Sequence, residues 1–258
     1  MNEEELIKYY NKFNEDKRLN TKHGQLEFIT AMKYIEEVIK NIKTPKILDI
    51  GAGTGKYSLS LANMGYDVTA VELVKHNLRV LQSKNSSVKS FLGNALDLSR
   101  FNDKSFNITL LFGPMYHLIS EEDKVKALAE AARVTTDDGY IIISYCMNEY
   151  ALLTYGFKEN NIIDCLDNNM VDSDFHIVSK EKDLYSFVRL EDINKLNEKA
   201  NLKRVKIISQ DGPTEYMKSL VNNMSDDVYK VFLEYHLKTC EREELLGASR
   251  HLLDILKK

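Results

Sequence analysis

Gly51-Ala52-Gly53-Thr54-Gly55 sets glycine at alternate positions directly after the apolar run Lys46 to Ile50. Glycine lets a chain turn sharply and brings its backbone close to a ligand. Glu72 stands 21 residues past Gly51 (72 − 51), at the tip of a second apolar run, Asp67 to Val71. An acid about 20 residues beyond such a turn can accept hydrogen bonds from both hydroxyls of a ribose. The plainer readings are a turn that only joins strand to helix and a solvated carboxylate at a strand end. Three alternating glycines together with that acid argue against both. The stretch reads as half of a nucleotide-binding βαβ unit, and its ligand carries a ribose.

The spacing also narrows the ligand. Dinucleotide sites space glycine as G-x-G-x-x-G and seat a pyrophosphate on a helix N-terminus. Here the pattern is G-x-G-x-G, Lys56 occupies the place of the third dinucleotide glycine, and Asp49 precedes the loop. A carboxylate there repels a pyrophosphate and suits a ligand with an ammonium group and a sulfonium centre. Over residues 45 to 145 the chain resembles the class I S-adenosylmethionine-dependent methyltransferases of small-molecule type, whose cofactor loop is acidic–apolar–G-x-G-x-G. The resemblance implies that Asp49, Gly51, Ala52, Gly53, Gly55, Glu72, Leu73, Asn94, Ala95 and Phe112 hold S-adenosylmethionine, with Leu73 against the adenine. It also implies an aspartate after Gly93, where this chain has Asn94. An amide carbonyl can accept from the adenine amino group but lacks charge assistance. Asp97 is an alternative acceptor, or a surface carboxylate.

For chemistry, the resemblance sets the end of FNITLLFGPMYHL beside the transferring methyl group. Gly113-Pro114 fixes a tight turn, and carbonyls and aromatic faces can stabilise a positive sulfur. His117 is the candidate general base, since neutral imidazole takes a proton near pH 7, with Tyr116 as second catalytic candidate. The alternative for His117 is a packing histidine that bonds loop backbone. Tyr9, Tyr10, Arg18, His23 and Glu27 form a second cluster. From it Tyr10, Arg18 and His23 are substrate candidates, as is Tyr145 further on; Tyr10 can equally be a surface-helix tyrosine packed on the sheet. Methyl transfer is an in-line displacement that rests mainly on positioning. No metal-ligand cluster is legible.

The elements that must position these residues alternate. Helices are expected at 3–14 and through Phe28, Met32, Ile35, Ile39 and Ile42, which share a face before Pro45 ends the run. Strands are expected at 46–50, 67–72, 88–92 and 106–112, with helices at about 55–64 and 75–84. Ser120-Glu121-Glu122-Asp123 opens a helix with stripe Val125, Leu128, Ala129 and Ala132. Asp137-Asp138-Gly139 then turns into YIIISY. Short continuous apolar runs between helices indicate parallel strands buried on both faces. The fold class is α/β: a Rossmann-like, doubly wound, mostly parallel seven-stranded sheet with helices on both faces, N-terminal helices and a cap insertion after strand five. The chain divides into 1–44 leading helices, 45–145 cofactor core, 146–182 insertion (a cap, or a helical pair at the sheet edge) and 183–258 completion of the sheet. Leu184 to Val188 is β-like, and Val228, Val231, Phe232 and Tyr235 share a helix face. The last eight residues, HLLDILKK, have helical spacing, whereas the resemblance makes them the last, antiparallel strand.

Composition bounds the rest. The chain has 258 residues, 43% of them hydrophobic, and a net charge of -4. That suits one large domain and, without a dense basic run, weighs against nucleic acid as main partner. Cys146, Cys165 and Cys240 show neither disulfide nor metal spacing. The acidic start lacks the apolar core of a signal peptide and no run reaches membrane-spanning length, so a cytoplasmic enzyme is expected. The leading reading is methyl transfer to a small-molecule acceptor, with the oligomeric state open. Methylation of RNA or protein, and a non-catalytic cofactor-binding protein, remain alternatives. Gly113-Pro114-Met115-Tyr116 stands where an Asn-Pro-Pro-Tyr or Asp-Pro-Pro-Tyr signature of base amino methylation would fall.

Overall fold

Lys46–Ile50 (β1), Asp67–Glu72 (β2), Lys89–Leu92 (β3) and Phe106–Leu111 (β4) are runs of four to six residues, too short for helices and closed by turns. Thr135–Cys146 (β5), Lys203–Ser209 (β6) and His251–Lys257 (β7) follow. The computed structural model describes residues 3–10, 20–40, 42–84 and 86–258, and joins the strands in one sheet of order β3-β2-β1-β4-β5-β7-β6. β1 to β5 pair in parallel, while β7 lies antiparallel between β5 and β6. The helices are Glu3–Tyr10 (α1), Lys22–Ile39 (α2), Lys56–Asn63 (α3), Lys75–Ser83 (α4), Glu121–Val134 (α5), Asn148–Ala151 (α6), Ile162–Asp167 (α7), Leu190–Lys199 (α8), Lys218–Asn222 (α9) and Asp226–Thr239 (α10). Among the described residues no helix is long and apolar enough to cross a membrane.

Each sheet face carries its own core. Leu48, Ile50, Leu111, Ile141 and Ile143 pack with α5 and α8 on one side. Ile47, Ile108, Leu110, Ile142 and Leu253 pack with α2 and Leu61 of α3 on the other. This two-sided burial explains the ambiguous C-terminus. Leu252, Leu253, Ile255 and Leu256 are all buried, so the strand is a continuous apolar run that imitates helical spacing. Its polar member, Asp254, is buried and held by Arg204 at 2.7 and 3.0 Å and by the Asn197 amide at 2.7 Å.

Four local expectations change. β5 begins at Thr135, so Asp137-Asp138-Gly139 lies within the strand. There the register against β4 shifts, and a Cβ on Gly139 would meet Asn107 O at 2.6 Å. On α5, capped by Ser120, Ala129 faces solvent, whereas Lys124 and Ala127 are buried. On α10 the shared face of Val228, Val231 and Tyr235 is exposed, so the periodicity is real but points outward. Of Leu184 to Val188, only Val188 pairs, in one bridge with Met147. The insertion after β5 includes a π-helical stretch, Leu152–Lys158, and a small core of Leu152, Cys165 and Val171.

Candidate active site

The site lies where the winding of the sheet reverses. The helix after β1 packs on one face and the helix after β4 on the other, which leaves a crevice at the strands' carboxyl ends. The two loops meet closely: Gly51 has φ +74°, and a Cβ there would lie 2.8 Å from Pro114 Cδ. Gly55, at φ +89°, has a different task. A Cβ there would lie 2.7 Å from Leu81 Cδ1, so this glycine lets α3 pack on α4 and does not line the pocket.

Two buried carboxylates face this crevice. Glu72 accepts the Gly53 N–H through Oε2 and the Val74 N–H through Oε1, both at 2.8 Å. Burial raises its pKa, against the opposing pull of the Val74, Gly53, Asn77 and Leu73 donors. Asp49 Oδ2 accepts from Ser58 Oγ at 2.5 Å, and the Ser58 backbone N–H also donates to this carboxylate. Burial, with Glu72 nearby, pushes the Asp49 pKa up to about 6. Two poorly solvated carboxylates side by side make a pole that attracts a cation.

His117 is 5% exposed. Its Nδ1 lies 2.8 Å from the Leu184 carbonyl, which can only accept, so the proton is on Nδ1. Nε2 is then an acceptor, and the Tyr10 hydroxyl donates to it at 2.9 Å. Burial pushes the His117 pKa down to about 4, so the ring is neutral at pH 7. The geometry gives both of its nitrogens specific backbone and side-chain partners. Lys124 braces the surrounding loop, donating to the Leu118 and Ile119 carbonyls and to Ser186, while the Ser186 N–H donates to Tyr116 O.

The pocket wall brings together Asp49, Gly51, Ala52, Gly53, Glu72, Leu73, Asn94, Ala95 and Phe112 with Tyr10, Tyr116 and His117. Tyr116 donates its hydroxyl to Phe112 O at 2.7 Å, and Asn94 Oδ1 accepts the Leu96 N–H at 3.0 Å. Asp97 is exposed on a separate groove with Arg133, as a surface carboxylate. Two substrate candidates are placed elsewhere. The side chain of Tyr145 points away from Ser144, into the core beside Ile143, because successive strand residues face opposite sides. His23 ties the start of α2 to Asn222 at 3.1 Å, outside the pocket wall. Arg18 lies outside the described residues. No residue from 146 to 182 lines the pocket; its cover among the described residues is Leu6 and Tyr10 of α1.

Some lining residues carried little sequence signal. Ser144 is a lone hydroxyl in an apolar strand, a weak cue, and Gln210 follows β6 with none. The structure also gathers Glu27, Asp211 and His251, with one ligand atom each within 4.8 Å of the others, where spacing gave no metal cluster. Their shortest link is an ion pair, His251 Nδ1 to Asp211 Oδ2 at 2.7 Å. Burial opposes charge on His251, but Cys146, Asp211 and Glu27 outweigh it and push its pKa up to about 10. An imidazolium occupies the place a cation would take.

A sheet of this order, with a glycine loop after β1 and an acid closing β2, is similar to the fold of class I S-adenosylmethionine-dependent methyltransferases. The family model described as "Methyltransferase domain" matches residues 48–143. A glycine/sarcosine N-methyltransferase of Aphanothece halophytica is 27% identical over 134 residues, 50% of either chain. An rRNA adenine N-6-methyltransferase of Limosilactobacillus reuteri is 30% identical over 132 residues, 49% of this chain and 51% of that one. The chain thus spans about half the length of the curated relatives it matches. A solved S-adenosylmethionine-dependent methyltransferase of Methanosarcina mazei shares the fold at a TM-score of 0.58 and 16% identity, over 87% of this chain and 96% of that one.

The donors fit this cofactor. A Cβ on Gly53 would meet nothing within 4 Å, so the loop leaves open space beside Glu72. The buried Asp49 carboxylate suits an ammonium group, and Glu72 suits a ribose.

Proposed function

We propose that this chain transfers the methyl group of S-adenosylmethionine to a small-molecule acceptor. The observation that carries the reading is the cover. Leu6 and Tyr10 of α1 close over the end of the pocket at which Tyr116 and His117 stand. A nucleotide inside a folded RNA would have to displace that helix, whereas a small molecule fits beneath it. When bound, the cofactor supplies a methyl group activated by positive sulfur. The acceptor's lone pair forms the new bond to carbon while the carbon–sulfur pair stays on sulfur. The acceptor's proton passes to Tyr10 Oη as Tyr10's own proton passes to His117 Nε2, with the Leu184 carbonyl holding the ring. Asp49 holds the ammonium end and Glu72 the ribose.

The rRNA-modifying relative favours a second reading, RNA as acceptor. Methyl-labelled S-adenosylmethionine, incubated with an extract divided into small-molecule filtrate, RNA and protein, separates the two. Label in the filtrate supports the proposal; label in RNA or protein overturns it; no transfer leaves a binding protein. If the relay operates, Tyr10→Phe and His117→Asn each lower kcat about 100-fold, and the double variant is no worse than either single one. Additive losses would separate the two residues.

A further inference from the structure

Ser144 lies two residues before the end of β5 and Gln210 follows β6, so both stand near carboxyl ends of strands, separated by Phe112 from the glycine loop and Glu72. They share one face of the sheet. Ser144 pairs with Leu253 of β7, Leu253 pairs with Ile208 of β6, and Gln210 is one side-chain repeat beyond Ile208. Across β7, Ser144 Oγ donates to Gln210 Oε1 at 2.8 Å. That bond orients the amide: the oxygen is committed to Ser144, which leaves Nε2 at the other end. Gln210 is 1% exposed and lines the pocket, and among the described residues its amide nitrogen has no hydrogen-bond partner. Nε2 is thus a donor open to the pocket, not one sealed in the core. The complement of a two-proton donor at the wall of a binding pocket is an oxygen brought in by the ligand. The amide donor is itself uncharged and cannot offset a buried carboxylate, so an uncharged oxygen suits it better.

We infer that Gln210, oriented by Ser144, reads the methyl acceptor, and that the acceptor presents the carbonyl oxygen of an uncharged group beside its methylated atom. The inference rests on the small-molecule reading for its place in catalysis, but the binding contact is testable alone. In the full chain labelled with nitrogen-15, the Gln210 side-chain NH2 pair is identified by its loss in Gln210→Leu. Titration with N-methylacetamide, with and without S-adenosylhomocysteine, is expected to shift that pair. Acetate and methylammonium are expected to leave it in place at the same concentration, and Ser144→Ala to weaken the N-methylacetamide response about tenfold. No shift with N-methylacetamide, or a stronger one with acetate or methylammonium, overturns the inference. In turnover, Gln210→Leu is expected to slow label transfer into the filtrate about tenfold while S-adenosylhomocysteine affinity stays unchanged. Label entering RNA alongside an intact N-methylacetamide shift defeats the small-molecule reading and leaves the Gln210 contact standing.

Discussion

Single residues set the site's charge, and Asp49 shows how binding and stability oppose each other there. Its pKa is raised from an ordinary 3.8 to about 6 by burial, then by Glu72. The folded protein therefore holds that proton more tightly than the unfolded chain does. The sign follows: the stabilising effect is full below about pH 4 and is lost as pH rises through 6, so the ionised form at neutral pH strains the fold. Asp49→Asn is expected to raise the melting temperature at pH 7.5 by a few degrees while weakening S-adenosylhomocysteine at least tenfold in a calorimetric titration. In the unaltered protein, cofactor affinity should fall as pH drops through 6. Flat affinity from pH 5 to 8, or undiminished binding in the variant, would remove Asp49 from cofactor recognition. This residue was legible in sequence because its meaning is local: an acid two positions before a glycine loop. Gln210 and Ser144 were not, since their partnership exists only across β7.

At the scale of elements, β7 links segments that are remote in the chain. It enters antiparallel between β5 and β6 and sets His251, its first residue, opposite Cys146 and against Asp211, which follows β6. Asp211 Oδ1 also accepts the Arg250 and His251 N–H groups, while Ser249 Oγ donates to the same oxygen. His251 thus fastens the start of β7 to the segment that follows β6. Its pKa is raised, so its contribution is fully present below about pH 6.5, declines above that, and is gone past about pH 10. Thermal melts are expected to show stability falling between pH 7 and 10, and His251→Asn to start lower and flatten that slope. An equal slope in both proteins would assign the alkaline loss elsewhere. The elements themselves were largely readable: β1, β2 and their turns came from short apolar runs. The last strand was not, because a strand buried on both faces shows no alternation that would separate it from a helix. Gly55 is a milder case. Its motif implied a ligand contact, yet the position is dictated by Leu81.

For the whole molecule, the sheet with its two flanking cores and the helix that covers the pocket are distinguishable parts. Neither large core includes a residue of α1. Leu6 is the one buried side chain described in that helix, and it faces the pocket together with Tyr10. The cover therefore serves ligand enclosure more than folding. Burial of one leucine is worth about 1.5–3 kcal/mol, a few degrees of melting temperature in a chain of this size. A chain lacking residues 1–10 is expected to melt cooperatively, within a few degrees of the full chain. S-adenosylhomocysteine, which the proposed site places mostly over β1 and β2, should still bind, though about tenfold more weakly because its exposed side loses apolar contact. Turnover should fall far more than binding, since the shortened chain lacks the Tyr10 hydroxyl that reaches His117 and admits water beside the reacting atoms. Melting curves, calorimetry and label transfer on the same preparation separate these effects. Collapse of the melting transition would make α1 part of the fold, and unchanged turnover would show that the acceptor is reached without a cover, the arrangement a larger polymeric substrate requires.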